Sequence, residues 1–124
     1  MERDKNKGKK IEKYAEKRPW GRFEQYIKNK PCTVKLIFVK PKEETSLQYH
    51  KKRDEFIKIL QGEGVVVLGG KKVKAKEGDE FFIPRLTKHR ITAGKGLVKI
   101  LEISLGDFDE ADEVRLEDKY NRAS

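Results

Sequence analysis

The apolar residues of this chain fall in short runs separated by turn residues. The runs are Val34-Lys35-Leu36-Ile37-Phe38-Val39, Phe56-Ile57-Lys58-Ile59-Leu60, Val65-Val66-Val67-Leu68, Phe81-Phe82-Ile83 and Leu97-Val98-Lys99-Ile100-Leu101. Each has strand length, and none extends into a long run of helical period. Breakers stand between them at Asn29-Lys30-Pro31, Pro41-Lys42, Gly62-Glu63-Gly64, Gly69-Gly70, Glu77-Gly78-Asp79 and Gly94-Lys95-Gly96. Gly69-Gly70 between two apolar runs predicts a tight hairpin. Many short strands at regular spacing predict an all-β sandwich or barrel. Only the ends depart from this pattern. Ile11, Tyr14 and Ala15 have helical spacing and predict a short helix, stopped at Arg18-Pro19-Trp20-Gly21 because proline cannot continue it. The charged stretch from Asp109 to Ser124 is expected as a short helix or a tail lying across the barrel. The expected organisation is therefore an N-terminal extension at 1–17, a barrel at 18–106 and an acidic segment at 107–124.

Strand parity assigns faces to these residues. Successive side chains of a strand point to opposite faces, so residues two apart share one. Placing Glu55 inward puts Ile57 and Ile59 inward and Lys58 outward. Placing Val98 and Ile100 inward carries Glu102 and Ser104 inward with them and sends Lys99 out. Val34, Leu36 and Phe38 form one face of the early strand, and Lys35, Ile37 and Val39 form the other. Glu102 and Lys35 are thus the charged residues expected to face a central cavity.

Composition narrows the class. The chain has 124 residues, enough for one domain with one core. No apolar run approaches the ~20 residues of a membrane span, and the N-terminus has no apolar leader region. The single Cys32 excludes an internal disulfide framework and fits a reducing, cytoplasmic setting. The net charge of +9 is unevenly spread: residues 1–17 carry +3, residues 107–124 carry −4, and the middle is strongly basic. A basic body suits nucleic acid or a phosphorylated small molecule. The aromatic residues do not interleave with the basic runs as base-stacking platforms would, so the small molecule is expected and nucleic acid is not.

The candidate chemistry lies in two segments. Gln48-Tyr49-His50 is followed by Glu55 and closed by Gly62, and Gly78 leads through Pro84 to His89. Gln48 and His50 leave one face of a strand. Two neutral imidazoles, one carboxylate and one amide oxygen form a cage for a borderline divalent metal. The expected ligands are Gln48, His50, Glu55 and His89, and the two histidines are the only ones in the chain.

These spacings resemble the two cupin motifs. Gln48 stands in the first histidine slot of the first motif, Lys42 in its opening glycine slot, and Leu86 in the glycine slot of the second. Within the cupins the chain is similar to the C-terminal domain of type II phosphomannose isomerases. The resemblance is carried by Arg18-Pro19-Trp20-Gly21, Val34-Lys35, Val39-Lys40-Pro41, Ser46-Leu47-Gln48-Tyr49-His50, Arg53 with Glu55, Lys88-His89-Arg90, Val114-Arg115, and Glu117-Asp118 with Tyr120. It departs at Lys51 and Lys52, where that family has further histidines, and at Phe56 and Ile57, where it has His-Trp.

The resemblance implies a single jelly-roll cupin barrel with one divalent ion (Zn, Mn, Co, Ni or Fe) and a strand-mediated homodimer. It implies interconversion of mannose 6-phosphate and fructose 6-phosphate, without the guanylyltransferase activity of the domain usually joined to it. Glu102 is the expected base and Lys35 the expected polariser or phosphate contact. Arg18, Trp20, Arg53, Arg90 and Arg115 are the expected substrate contacts, since guanidinium forks suit phosphate oxygens. The alternatives are a non-catalytic sugar- or sugar-nucleotide-binding cupin and a metal-dependent oxygenase, because one fold hosts many chemistries.

Overall fold

A computed structural model describes residues 13–106, 109 and 111–118. Its strands in chain order are β1 (Tyr14–Arg18), β2 (Gly21–Gln25), β3 (Cys32–Val39), β4 (Leu47–Tyr49), β5 (Asp54–Gln61), β6 (Glu63–Leu68), β7 (Lys71–Lys76), β8 (Glu80–Ile83), β9 (His89–Ala93), β10 (Val98–Leu105) and β11 (Val114–Glu117). A four-stranded sheet in the order β3-β10-β5-β8 faces a five-stranded sheet in the order β11-β4-β9-β6-β7, and β1-β2 form a separate hairpin. All pairings are antiparallel. The strand pattern predicts a sandwich or barrel and the resemblance a jelly roll, which is the fold observed, and Gly69-Gly70 makes the expected tight link between β6 and β7.

The core lies between the two sheets. Ile57, Ile59, Val98 and Ile100 meet Val66, Ile91 and Ala93 of the facing sheet, each almost fully buried. Complete burial of such a side chain contributes roughly 1.5–3 kcal/mol. Parity holds on β5 and β10: Glu55, Ile57, Ile59, Val98, Ile100 and Ser104 are all at 1% exposure or less. On β3, Lys35, Ile37 and Val39 share the inner face, while Val34, Leu36 and Phe38 point out. The outer face of β5, β8 and β10 is apolar too. Phe56, Phe82 and Ile103 are buried there, with the Tyr26 ring 5.4 Å from that of Phe56.

Gly62 shows why its position takes glycine. Its φ is +92°, and a Cβ would sit 2.2 Å from the Leu97 carbonyl oxygen. The two glycine slots of the motifs that hold other residues keep the glycine conformation: Lys42 has φ +64° and Leu86 has φ +69°. In both, the backbone makes a bond that the turn needs, from Lys42 N to Gly94 O at 2.8 Å and from Leu86 N to His50 O.

The N-terminal end requires a correction. Tyr14 and Ala15, expected in a helix, belong to β1, where each pairs across a hairpin with β2. Hairpin pairing satisfies the backbone over both strands, which a single short polar helix does not manage alone. Ile11 lies outside the described residues. At the other end, where a short helix or a tail was expected, Val114–Glu117 is a strand paired with β4.

Candidate metal centre

Three elements converge at one point inside the barrel. His50 follows β4 directly, Glu55 is the second residue of β5, and His89 opens β9. Their ligand atoms all lie within 4.8 Å of one another. His50 Nε2 is 3.5 Å and His89 Nε2 is 3.7 Å from Glu55 Oε1. The three residues are 1–5% exposed.

Each imidazole is oriented by a backbone carbonyl. His50 Nδ1 donates to Asp112 O at 2.7 Å, and His89 Nδ1 donates to Thr87 O at 3.0 Å. A carbonyl can only accept, so both Nδ1 atoms carry the proton, and in the neutral ring Nε2 presents the lone pair. Burial pushes the His89 imidazole below its ordinary value, although the Thr87 carbonyl opposes this, so the ring is neutral near pH 7. Arg53 Nη2 lies 3.4 Å from His50 Nε2, at the long limit of a hydrogen bond.

Glu55 has two unlike oxygens. Oε2 accepts from Arg53 Nε at 2.8 Å and from Ser104 Oγ at 3.2 Å. Oε1 is buried without a hydrogen-bond partner. A buried carboxylate oxygen left unpaired is expensive. Here it faces two imidazoles whose Nε2 atoms are acceptors in the neutral ring, and the neighbouring Glu102 carboxyl can donate to Glu55 only while it holds its proton. A cation bound to Oε1 and both Nε2 atoms would satisfy all three, so the residues present fit a divalent ion. Gln48 sits directly opposite His89 in register, and its amide nitrogen donates to Ser46 Oγ at 2.9 Å. Its amide oxygen is the end suited to ligation.

A segment far away in sequence braces this site. The Asp112 carboxylate accepts from the backbone N–H groups of Lys51 and Lys52, both at 2.9 Å, while its carbonyl holds His50. Burial alone would raise the Asp112 carboxyl. The two N–H groups, with His50 and Arg53 nearby, hold it below the ordinary value. Asp109 O accepts from Arg53 Nη1 at 3.0 Å. Sequence reasoning missed Asp112 and Asp109, since they stand in a run of acids whose spacing marks none of them out.

Glu102 and Lys35 face inward as parity required, directly opposite each other in register. Burial pushes the Glu102 carboxyl up to about 7, reinforced by the Glu55 charge beside it and opposed by Lys35 and Arg53. Arg53, expected as a substrate contact, is 4% exposed and engaged with Glu55. Arg115 pairs with Gln48 in register, which places it on the metal-facing side, with its Nε 2.7 Å from Glu113. Arg90 lies next to His89 on the opposite face and binds Thr45 O, Glu44 and Glu117. Arg18 and Trp20 are exposed at the β1–β2 turn. Phe56 packs outward under Tyr26, and Ile57 fills the barrel beyond Glu55.

Residues 4–118 match the family described as mannose-6-phosphate isomerase C-terminal. A mannose-1-phosphate guanylyltransferase of Klebsiella pneumoniae is 36% identical over 107 residues, covering 85% of this chain and 23% of that protein. The alginate biosynthesis protein AlgA of Pseudomonas aeruginosa is 33% identical over 109 residues, covering 86% of this chain and 23% of that protein. The chain thus spans about a quarter of the length of these relatives. Among solved structures, a cupin 2 conserved barrel domain protein from Rhodopseudomonas palustris superposes with a TM-score of 0.61 at 23% identity, covering 66% of this chain and 57% of that one. At that identity the likeness shows the fold, a cupin barrel.

Proposed function

The chain belongs to the mannose-6-phosphate isomerase C-terminal family, and from that premise we propose that it is a metal-dependent sugar-phosphate isomerase interconverting mannose 6-phosphate and fructose 6-phosphate. The observation that carries this reading is the unpartnered Glu55 Oε1 facing the Nε2 atoms of His50 and His89. Those three residues would hold the ion, with the Gln48 oxygen as fourth ligand. When bound, a divalent ion there supplies Lewis-acid polarisation of the sugar oxygens.

The chain's own residues do the rest. Glu102 is the candidate base: it takes the proton from C2 of the aldose and returns it to C1, while the O2 proton passes to O1. A carboxyl titrating near 7 is matched to both halves of that transfer at neutral pH. Lys35, opposite Glu102, keeps a cation beside the carboxylate and can contact a sugar oxygen. Arg115, on the metal-facing side, is the candidate phosphate anchor. Arg53 acts on the site through Glu55 and His50 instead of touching substrate.

The test is a coupled assay for fructose 6-phosphate on metal-loaded protein, run beside Glu102→Gln. The parent is expected to turn over, and the variant to lose roughly 10²–10⁴-fold with its metal content unchanged. A metal-loaded parent without turnover would overturn the isomerase reading in favour of a sugar-phosphate-binding domain.

A further inference from the structure

The barrel has two ends, and the metal centre occupies one of them. Glu55 lies at the start of β5 and His89 opens β9, whereas Gly62 follows the end of β5 and Gly94 the end of β9. At about 3.3 Å per residue, the length of β5 sets the two ends roughly 20 Å apart. At the far end the glycine turns 62–64 and 94–96, the β7 residues 74–76 and Asp79 line a cleft of about 980 Å³. That is room for a small molecule, at the upper end of the size of ligand pockets. Packing explains some of its glycines but not all. At Gly64 a Cβ would stand 2.1 Å from the Thr92 carbonyl oxygen. Gly96 has no positive φ and no atom within 4 Å of where its Cβ would be. Neither conformation nor packing demands glycine there, and an unneeded glycine costs chain entropy on folding. Its bareness leaves the cleft open. Lys95 and Gly96 make no backbone hydrogen bond among the described residues, so two exposed N–H groups lack a protein acceptor at the cleft. Lys74 and Lys76 share one face of β7, and they line the cleft together with Lys95. None of these three lysines makes an ion pair among the described residues.

We propose that this cleft is a second ligand site, remote from the metal, and that it takes a phosphorylated sugar. Ammonium groups and free backbone N–H groups are the donors that phosphate oxygens accept from. The cleft is not purely basic, because Glu63 and Asp79 line it too. One Asp79 oxygen, Oδ2, accepts from the Lys76 backbone N–H at 2.9 Å. Carboxylates repel a bare anion but accept from hydroxyl groups, which a sugar supplies. A ligand with a phosphate at one end and hydroxyls at the other meets both sets of groups; inorganic phosphate meets only the first. A free sugar phosphate and the ribose phosphate of a nucleotide share this chemistry. Lysines along β7, which ends its sheet, also discourage pairing with another strand. That role does not extend to Lys95 or to the bare Gly96, which stand on a turn outside the strand. The site depends neither on the metal nor on the isomerase reading.

The test is a residue-resolved NMR titration of the zinc-loaded protein with mannose 6-phosphate, adenosine monophosphate and inorganic phosphate. The amides of Gly64, Lys95 and Gly96 are expected to shift saturably with one or both of the first two, and the tighter of them names the source of the ligand. Gly96→Asp places a negative side chain in the cleft, and Lys95→Glu reverses one of its charges. Both positions are exposed, so the fold should be kept. Each variant should weaken binding at the cleft about tenfold or more with its zinc content unchanged. Four results would overturn the proposal: no shift at these amides with any of the three probes, shifts confined to the surroundings of His50 and His89, inorganic phosphate binding as tightly as both sugar phosphates, or variants that bind as the parent does. Failure of the isomerase reading would leave the expected shifts in place, since a chain without turnover can still fill the cleft.

Discussion

Replacing Glu102 by glutamine removes a buried charge while keeping the side chain's shape. The carboxyl titrates at about 7 instead of 4.5, chiefly because burial disfavours its ionised form. Between these values the folded chain holds a proton that the unfolded chain has released. Stability therefore falls as pH rises through this window. At about 1.4 kcal/mol per pH unit the loss is on the order of 3 kcal/mol above pH 7. For a domain of this size it should lower Tm by roughly 10 °C. The assay is urea denaturation of chelator-treated protein at intervals from pH 4.5 to 8.5. Parent and Glu102→Gln should be close at the acid end and diverge as pH rises, with the variant the more stable. Parallel curves across the whole range would refute the reasoning, since they would mean that Glu102 ionises in the fold as readily as in the unfolded chain.

Other consequences concern the braces of the site and the barrel core. Asp112→Asn should weaken metal affinity about 10–100-fold by loosening the loop that carries His50, measured by competition with a chromophoric chelator. The same substitution should cost about 1–2 kcal/mol of stability at neutral pH, discounted for partial exposure. Because the Asp112 carboxyl titrates below its ordinary value, that difference should be present above about pH 4 and vanish as pH falls through the folded value; a gap that persists in acid would contradict it. Leu86→Gly should raise stability by up to ~1 kcal/mol in a thermal melt, since the φ of +69° at this position strains any side chain. Ile100→Ala, at a fully buried position, should cost about 2–5 kcal/mol, and a loss under 1 kcal/mol would show that the barrel interior is not packed as described.

Much of the barrel was legible because period-2 alternation and glycine punctuation are local signals. Parity alone placed Glu55, Ile57, Ile59, Ile100 and Glu102 on the inner face. It also separated Lys35 from the exposed stripe of Val34, Leu36 and Phe38. The N-terminal helix failed because Tyr14 and Ala15 fit either period over so short a span, and pairing with Glu24 and Gln25 across the Pro19-Trp20 turn decided the matter. The three metal-facing ligand atoms came from spacing. Their support did not: Asp112 reaches His50 across 62 residues of chain, and no pattern in the acidic tail distinguishes it from its neighbours. Arg53 and Arg90 were expected as substrate contacts, and the fold sets carboxylates beside both, Glu55 and Glu117. A guanidinium suits a carboxylate as well as a phosphate, and nothing local in the sequence brings Glu117 to Arg90.

The most direct test of the central claim is the metal stoichiometry of the protein after equilibrium dialysis against zinc ions, by elemental analysis of the parent, His89→Ala and Glu55→Gln. One ion per chain in the parent, with at least tenfold weaker binding in both variants, is the result that a centre built on His50, Glu55 and His89 predicts. Equal zinc content in all three proteins, or none in the parent, would contradict it.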